Sequence, residues 1–260
     1  MLRAFASTIR GGYSSEALAV FDRLPNPLTT NEKNGIATFV DTSVASGNWD
    51  KLDYFFGYFL EDSVNALIDW KTGLLSTAVN SPIHTPNEGY LFNGINQYIN
   101  TNINLSTDLI NSTLNNNYFE AYVYSNLSTD ATMLYGAVTT SGTSKALQLY
   151  QTTDSIKYNL FDSNSGKFTT SYFQNRTRYA INRQTSAGKF LFINGTSAIS
   201  SAIASTSIPS LNLFVGARNL RGAPANYFNG KVAYFYNGSG DVNQSHLTAA
   251  LSQLEADLII

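Results

Sequence analysis

Polar and apolar residues fall into two rhythms along this chain. Up to Gly47 the apolar positions recur at helical spacing; from Trp49 onward they alternate with polar ones in short runs. The first rhythm predicts helices. Ser14 or Ser15 can cap a helix carrying Ala17, Leu18, Val20, Phe21 and Leu24, and Pro25 and Pro27 stop it. Thr29 or Thr30 opens a second helix, with Glu32 placed to cap from within and Ile36, Phe39, Val40 and Val44 along one face; Gly47 closes it. Helices this short are marginal in water unless they pack on something. Residues 1–47 are therefore expected to form an attachment or oligomerisation segment in which Leu18, Phe21, Leu24, Ile36, Phe39 and Val40 meet other chains. The competing expectation is that they fold back and fill one open end of the domain that follows.

The second rhythm predicts strands at 52–60, 66–70, 118–125, 131–138, 146–151, 155–161, 167–173, 176–183, 189–193, 211–217 and 231–237, separated by Gly, Asn, Ser and Thr. Between them, 90–104 predicts an antiparallel hairpin. Asn93-Gly94 supplies positive φ cheaply, and Tyr90, Phe92, Tyr98 and Ile99 alternate with polar residues on either side. On 119–124, Phe119, Ala121 and Val123 share one face and Glu120, Tyr122 and Tyr124 the other. Runs of this length describe a sandwich or a barrel. Together with Leu191, Ile193, Phe214 and Val232, the first face is expected between two antiparallel sheets. A closing helix runs from about Gln244 to Leu258, capped by Asn243 or Ser245, with Leu247, Leu251, Leu254 and Leu258 as its stripe.

Composition narrows the setting. Of 260 residues only 13% are charged, and Asn, Ser, Thr, Tyr and Gly supply the polarity instead. Net charge is −2 and no run of Lys and Arg tracks a phosphate backbone, so neither nucleic acid nor an anionic membrane is expected as a partner. Cysteine is absent, which removes disulfides and thiolate chemistry. No segment reaches the roughly 18 continuous apolar residues of a membrane span. The first ten residues lack the apolar core of a secretory signal; Arg3, Arg10 and Ser7 give them the look of an organellar transit peptide, a pattern that also arises by chance.

Several segments, in order, resemble concanavalin A-like, laminin-G-like jelly rolls: 90–99, then Phe119-Glu-Ala-Tyr-Val123, Lys189-Phe-Leu-Phe-Ile-Asn-Gly195, Leu213-Phe-Val-Gly-Ala-Arg218 and Phe228-Asn-Gly-Lys-Val232. The resemblance covers about 85–255 and implies a mainly β, antiparallel sandwich, here with short N-terminal helices and a C-terminal helix, as a domain over 48–260. A narrower resemblance joins Trp49, Leu52-Asp53, Ala66-Leu67, Asp69-Trp70-Lys71, Asn80-Ser81-Pro82, Gly89, Gly94 and Tyr98-Ile-Asn-Thr101 to tailed-phage structural proteins. It implies a virion location, other virion proteins as partners, a homo-oligomer, and contact with cell-surface glycans.

Candidate chemistry is sparse. Some glucanases of this fold need two carboxylates flanking one bond, about 5–5.5 Å apart if retaining, and strand positions two apart would supply them. Glu120 is followed by Tyr122 and Tyr124 instead. His84 and His246 have no ligand at metal spacing, and Asp130, Asp154 and Asp162 read as turn or strand-end residues ahead of Ca²⁺ ligands. No Gly-x-Ser-x-Gly elbow and no phosphate-cradling glycine loop occurs. Asn-x-Ser/Thr sequons such as those at Asn104, Asn126, Asn175 and Asn194 are what chance provides in so Asn-rich a chain. The loop 218–227 combines donors with a flat ring at Arg218, Asn219, Arg221 and Tyr227 and is the candidate glycan or partner contact. The sequence therefore reads as a non-enzymatic virion structural protein (capsid decoration, head fibre or tail component) with no metal or cofactor. A glycan-binding adhesin is the alternative and a glycoside hydrolase a distant one.

Overall fold

The computed structural model describes residues 12–128, 130–139, 146–162, 165–168 and 172–258. The transit-like N-terminal stretch lies outside them. In chain order the described elements are α1 (Ser15–Arg23), α2 (Thr30–Ala45), β1 (Leu52–Phe56), β2 (Thr77–Val79), β3 (Ile83–Thr85), β4 (Gly89–Asn93), β5 (Tyr98–Asn104) and β6 (Asn117–Asn126). Then come β7 (Thr132–Val138), β8 (Ala146–Gln151), β9 (Ile156–Asp162), β10 (Gly166–Phe168), β11 (Thr177–Thr185), β12 (Gly188–Ile193) and β13 (Thr196–Ser201). The chain closes with β14 (Asn212–Val215), β15 (Arg218–Leu220), β16 (Ala223–Ala225), β17 (Asn229–Gly238) and α3 (Gln244–Leu258).

The strands form two sheets, with one short parallel pairing (β15 on β7) among otherwise antiparallel ones. One sheet runs β13-β12-β11-β6-β17-β4-β3, with β1 on β17; the other runs β10-β9-β8-β7-β14-β5-β2, with the β15–β16 hairpin beside β7. Phe119, Ala121, Val123, Leu191 and Val232 face the core as their alternation predicts. The rings interlock across it: Phe119 meets Phe161 edge-on at 5.9 Å, and Tyr135 meets Phe235 at 5.4 Å while donating its hydroxyl to the Phe119 carbonyl. Gly216 is needed for this approach. Its φ is +79°, and a Cβ there would stand 2.9 Å from the Phe92 ring of the facing sheet.

The β1–β17 sheet is buried on its outer face as well, beneath the helices. Phe39 of α2 packs on Phe55 and Trp70 at 4.7 and 6.1 Å, and Phe55 stacks on Tyr236 at 5.5 Å. Gly35 lets α2 close on α3, since a Cβ would sit 3.1 Å from Leu258 Cγ. Arg178 on β11 donates to the Thr248 carbonyl (3.0 Å) and the Ser252 hydroxyl (3.2 Å), tying α3 to the sheet. Thr29 and Glu32 form the anticipated capping box of α2.

Several expectations need correction. Ile36, Phe39 and Val40 are fully buried and Leu24 nearly so, all in the same core cluster as the strands; only Leu18 and Phe21 stay part-exposed. The helical segment thus fills its own fold, because the sheet beneath it offers a second apolar face. The stretch 90–104 is no hairpin: β4 pairs with β17 and β3, whereas β5 pairs with β14 and β2 in the other sheet. The Asn93 carboxamide oxygen accepts the amides of Ile95, Asn96 and Gln97 and redirects the chain between sheets. Phe214 points outward onto Tyr98, with Leu213 and Val215 inward, so the register of β14 is one residue off the expected one. Ile193 is only part-buried. Residues 66–70 make a 3-10 turn and single bridges instead of a strand. Neither β13 nor the β15–β16 hairpin was anticipated, since Ser, Thr, Ala and Gly carry a weak periodic signal.

A buried ionic cluster binds the sheets at one end. Asp162 on β9 accepts from Lys189 Nζ (2.8 Å) on β12 and Arg183 Nη2 (2.9 Å) on β11, and none of the three side chains is exposed. Arg183 also donates to the carbonyls of Leu160, Ser186 and Ile203. Asp162→Asn would leave two buried cations without an anion and is expected to lower stability by about 3–5 kcal/mol, read from urea unfolding. Asp69 provides a pH test. Burial pushes its carboxyl up to about 6, against donation from the Phe55 amide and from the Thr72 amide and hydroxyl. Between about pH 4 and 6 the native state therefore holds a proton that the unfolded chain has lost, so this contribution is full below the window and is lost as pH rises through it. Unfolding free energies measured across that window should show a more positive pH slope for Asp69→Asn than for the parent.

Candidate functional site

The residues that could bind a ligand meet at one edge of the sandwich, where the 93–97 crossover, the segment after β6 and the segment between β16 and β17 come together. Backbone bonds set their spacing. Gly94 N–H donates to the Phe228 carbonyl (3.0 Å), Leu127 N–H to the Asn229 carbonyl (2.9 Å) and Met133 N–H to the Asn226 carbonyl (2.9 Å). Ser128 Oγ donates to the Asn229 carbonyl and accepts its N–H, both at 3.0 Å. Beneath them lies Gln151 of β8, fully buried. Its Nε2 donates to the carbonyls of Ser128 and Asp130, and its Oε1 accepts from Phe173 N–H and Asn126 Nδ2.

The result is an open groove of about 350 Å³ lined by Asn93, Gly94, Leu127, Ser128, Asp130, Ala131, Thr132, Asn226, Tyr227 and Asn229. Several of its polar groups are unspent. Thr132 Oγ1 is buried with no partner. The Asp130 carboxylate and the Asn226 and Asn229 carboxamides make no side-chain hydrogen bond or ion pair among the described residues. Tyr227 is part-exposed, its ring 6.3 Å from Tyr98, which in turn packs on Phe214 at 4.6 Å. Leu127 at the groove and Ile95 beside Gly94 are 60% and 72% exposed, an apolar rim. Acceptors, amides, a hydroxyl and a supported ring in one concavity suit a polyhydroxylated ligand.

Of the four loop residues expected to bind, Tyr227 alone lines the groove. Asn219 is buried and spent on its own turn, donating to the Asn212 carbonyl (2.7 Å) and accepting from Gly222 N–H (2.8 Å). Arg221 sits at the exposed tip with φ +57°, its N–H on the Val138 carbonyl. Arg218 is half-buried on β15, where burial lowers the affinity of its guanidinium for a proton. Thr132, Asn226 and Asn229 were not singled out in the sequence, where each looks like any other polar residue of a turn or strand end.

The candidate carboxylates lie apart from one another and from the groove, Asp130 excepted. Glu120 is buried beneath the helices, accepting from the hydroxyls of Tyr118 and Tyr236. Asp154 pairs with Lys167, and Asp162 belongs to the buried ionic cluster. Among the described residues no three His, Asp or Glu side chains converge as a metal site would require.

Neither a protein-family model nor a curated protein matches this sequence. Solved structures do. Trypanosoma rangeli sialidase, in complex with 2,3-difluorosialic acid, matches at TM-score 0.54 and 13% identity over 81% of this chain and 33% of its own. A domain of an extracellular arabinanase from Geobacillus stearothermophilus, solved with arabinotriose, matches at 0.50 and 15% over 77% of this chain and 98% of its own. The botulinum neurotoxin serotype D binding domain matches at 0.51 and 14% over 78% of this chain and 51% of its own. The chain spans about a third of the sialidases' length. A domain solved with a bound sugar and a neurotoxin binding domain are thus among the proteins that share this fold. The expectation of a protein without catalytic activity is overturned: the first structures sharing the fold are sialidases. At 13–14% identity the likeness shows the fold and assigns no reaction.

Gln151→Leu tests the foundation of the groove. It strips the partners from two carbonyls and one N–H at once and leaves Asn126 Nδ2 only the Phe173 carbonyl, and each buried polar group left unpaired costs about 1–3 kcal/mol. The expected outcome is an unfolding free energy lowered by at least about 2 kcal/mol, read from urea unfolding, and faster proteolytic cleavage beside Leu127 and Ser128.

Proposed function

We propose that this chain is a carbohydrate-binding β-sandwich module and that the groove between Asp130 and Tyr227 is its binding site. The observation that carries this reading is the set of unspent polar groups around a supported ring: Thr132 Oγ1 buried without a partner, Asp130, Asn226 and Asn229 unengaged, and Tyr227 open on one side. A buried hydroxyl without a partner costs stability, so its retention favours a ligand that completes it. The arabinanase domain solved with arabinotriose supports the class of ligand, since it carries a sugar on this fold.

A virion is the setting we propose for this module, on the resemblance of 49–101 to phage structural proteins. Part of that segment serves the fold itself. Asp53 accepts the amides of Asn111 and Ser112, and Asp69 those of Phe55 and Thr72. The setting is tested separately, by mass spectrometry of purified particles.

The binding reading is tested by a glycan array followed by titration calorimetry. Tyr227→Ala and Thr132→Val should each weaken a captured oligosaccharide about tenfold or more, equivalent to about 1.4 kcal/mol, with the thermal midpoint of Thr132→Val no lower than that of the parent. Capture of no glycan, or affinities indifferent to both substitutions, would refute the reading.

A further inference from the structure

The charge around the groove selects among sugars, and the selection rests on the carbohydrate-binding reading above. None of the ten lining residues is Lys, Arg or His, and the one carboxylate is Asp130, exposed and without an ion pair among the described residues. Three exposed or part-exposed cations of the described residues are engaged elsewhere. Lys231 pairs with Glu88, Arg176 donates to Tyr124, and Lys167 pairs with Asp154. The acceptors and donors in the groove are otherwise neutral: the carboxamides of Asn226 and Asn229, the hydroxyl of Thr132 and the phenol of Tyr227.

We infer that the groove takes uncharged sugar residues and discriminates against acidic ones, sialic and uronic acids included. A carboxylate on the ligand has no cation to meet here. It would enter a concavity that already holds an unpaired anion, and like charges a few ångströms apart repel with only partial screening in such a site. A neutral sugar meets the opposite situation. Asp130 accepts from its hydroxyls in charge-assisted hydrogen bonds, the carboxamides both donate and accept, and Tyr227 covers an apolar ring face beside Leu127. The negative charge is therefore an asset for a polyol and a barrier for an acid. Selectivity of this kind comes from Asp130 and not from the shape of the groove.

The test compares a neutral oligosaccharide with its sialylated counterpart, both titrated into the full chain at low salt and again in 1 M NaCl. The neutral form should bind about tenfold or more tightly at low salt, and the gap should shrink in 1 M salt, where the screening length falls to about 3 Å. Asp130→Asn should narrow the low-salt gap chiefly by improving the sialylated ligand. Equal or tighter binding of the sialylated form, lost on Tyr227→Ala, would overturn the inference while leaving the carbohydrate reading in place. A low-salt gap unchanged in Asp130→Asn would overturn it too. Binding of neither form, across the whole array, would overturn that reading and the selectivity with it.

Discussion

Much of this structure follows from the burial of Glu120. The β6 strand lies in the middle of a sheet covered on both faces, so its polar side chains have no water to fall back on. Burial pushes the Glu120 carboxyl above the usual range, against the nearby Arg178 guanidinium and the hydroxyls of Tyr118 and Tyr236. The same burial holds both phenols well above their ordinary range. Such a group is tolerated only where partners are built around it. Here they come from three strands. Tyr118 shares β6 with it, Tyr236 is on β17, and Arg178 is on β11. Arg178 in turn ties this group to α3, donating to the Thr248 carbonyl and the Ser252 hydroxyl. The helices are consequently part of the fold, not a handle attached to it.

This one-sided covering decides where a ligand can reach the protein. With one sheet roofed by α1–α3, access falls to the other sheet and to the sandwich edge. There the three segments around Gln151 turn their side chains outward while their backbones bond one another. Rigid backbone beneath unspent side chains is the arrangement that limits the entropy lost on binding. The groove is thus preorganised by the same bonds that close the sandwich edge.

The sandwich, its closing helix and most strands are legible in the sequence because period-two and helical patterns survive any tertiary context. Residues 119–123 alternate cleanly, and α3 carries Leu247, Leu251, Leu254 and Leu258 on its buried stripe. The capping box at Thr29 and Glu32 is local chemistry and is found where the residues place it. Tyr227 stood out as a candidate because it follows a run of donors, and the structure places it on the groove.

Tertiary structure alone decided the rest, because periodicity records that a face is buried and not what buries it. An alternating strand reads the same whether its neighbour in sequence is its partner in space, so 90–104 looked like a hairpin while β4 and β5 join different sheets. The apolar stripe of α2 reads the same whether a second chain or the protein's own sheet covers it. In the same way Thr132, Asn226 and Asn229 are ordinary polar residues until the fold brings them, with Asp130, around one ring. Which polar groups are spent on the backbone, as Asn219 is, and which are left for a ligand is settled only when the chain closes on itself.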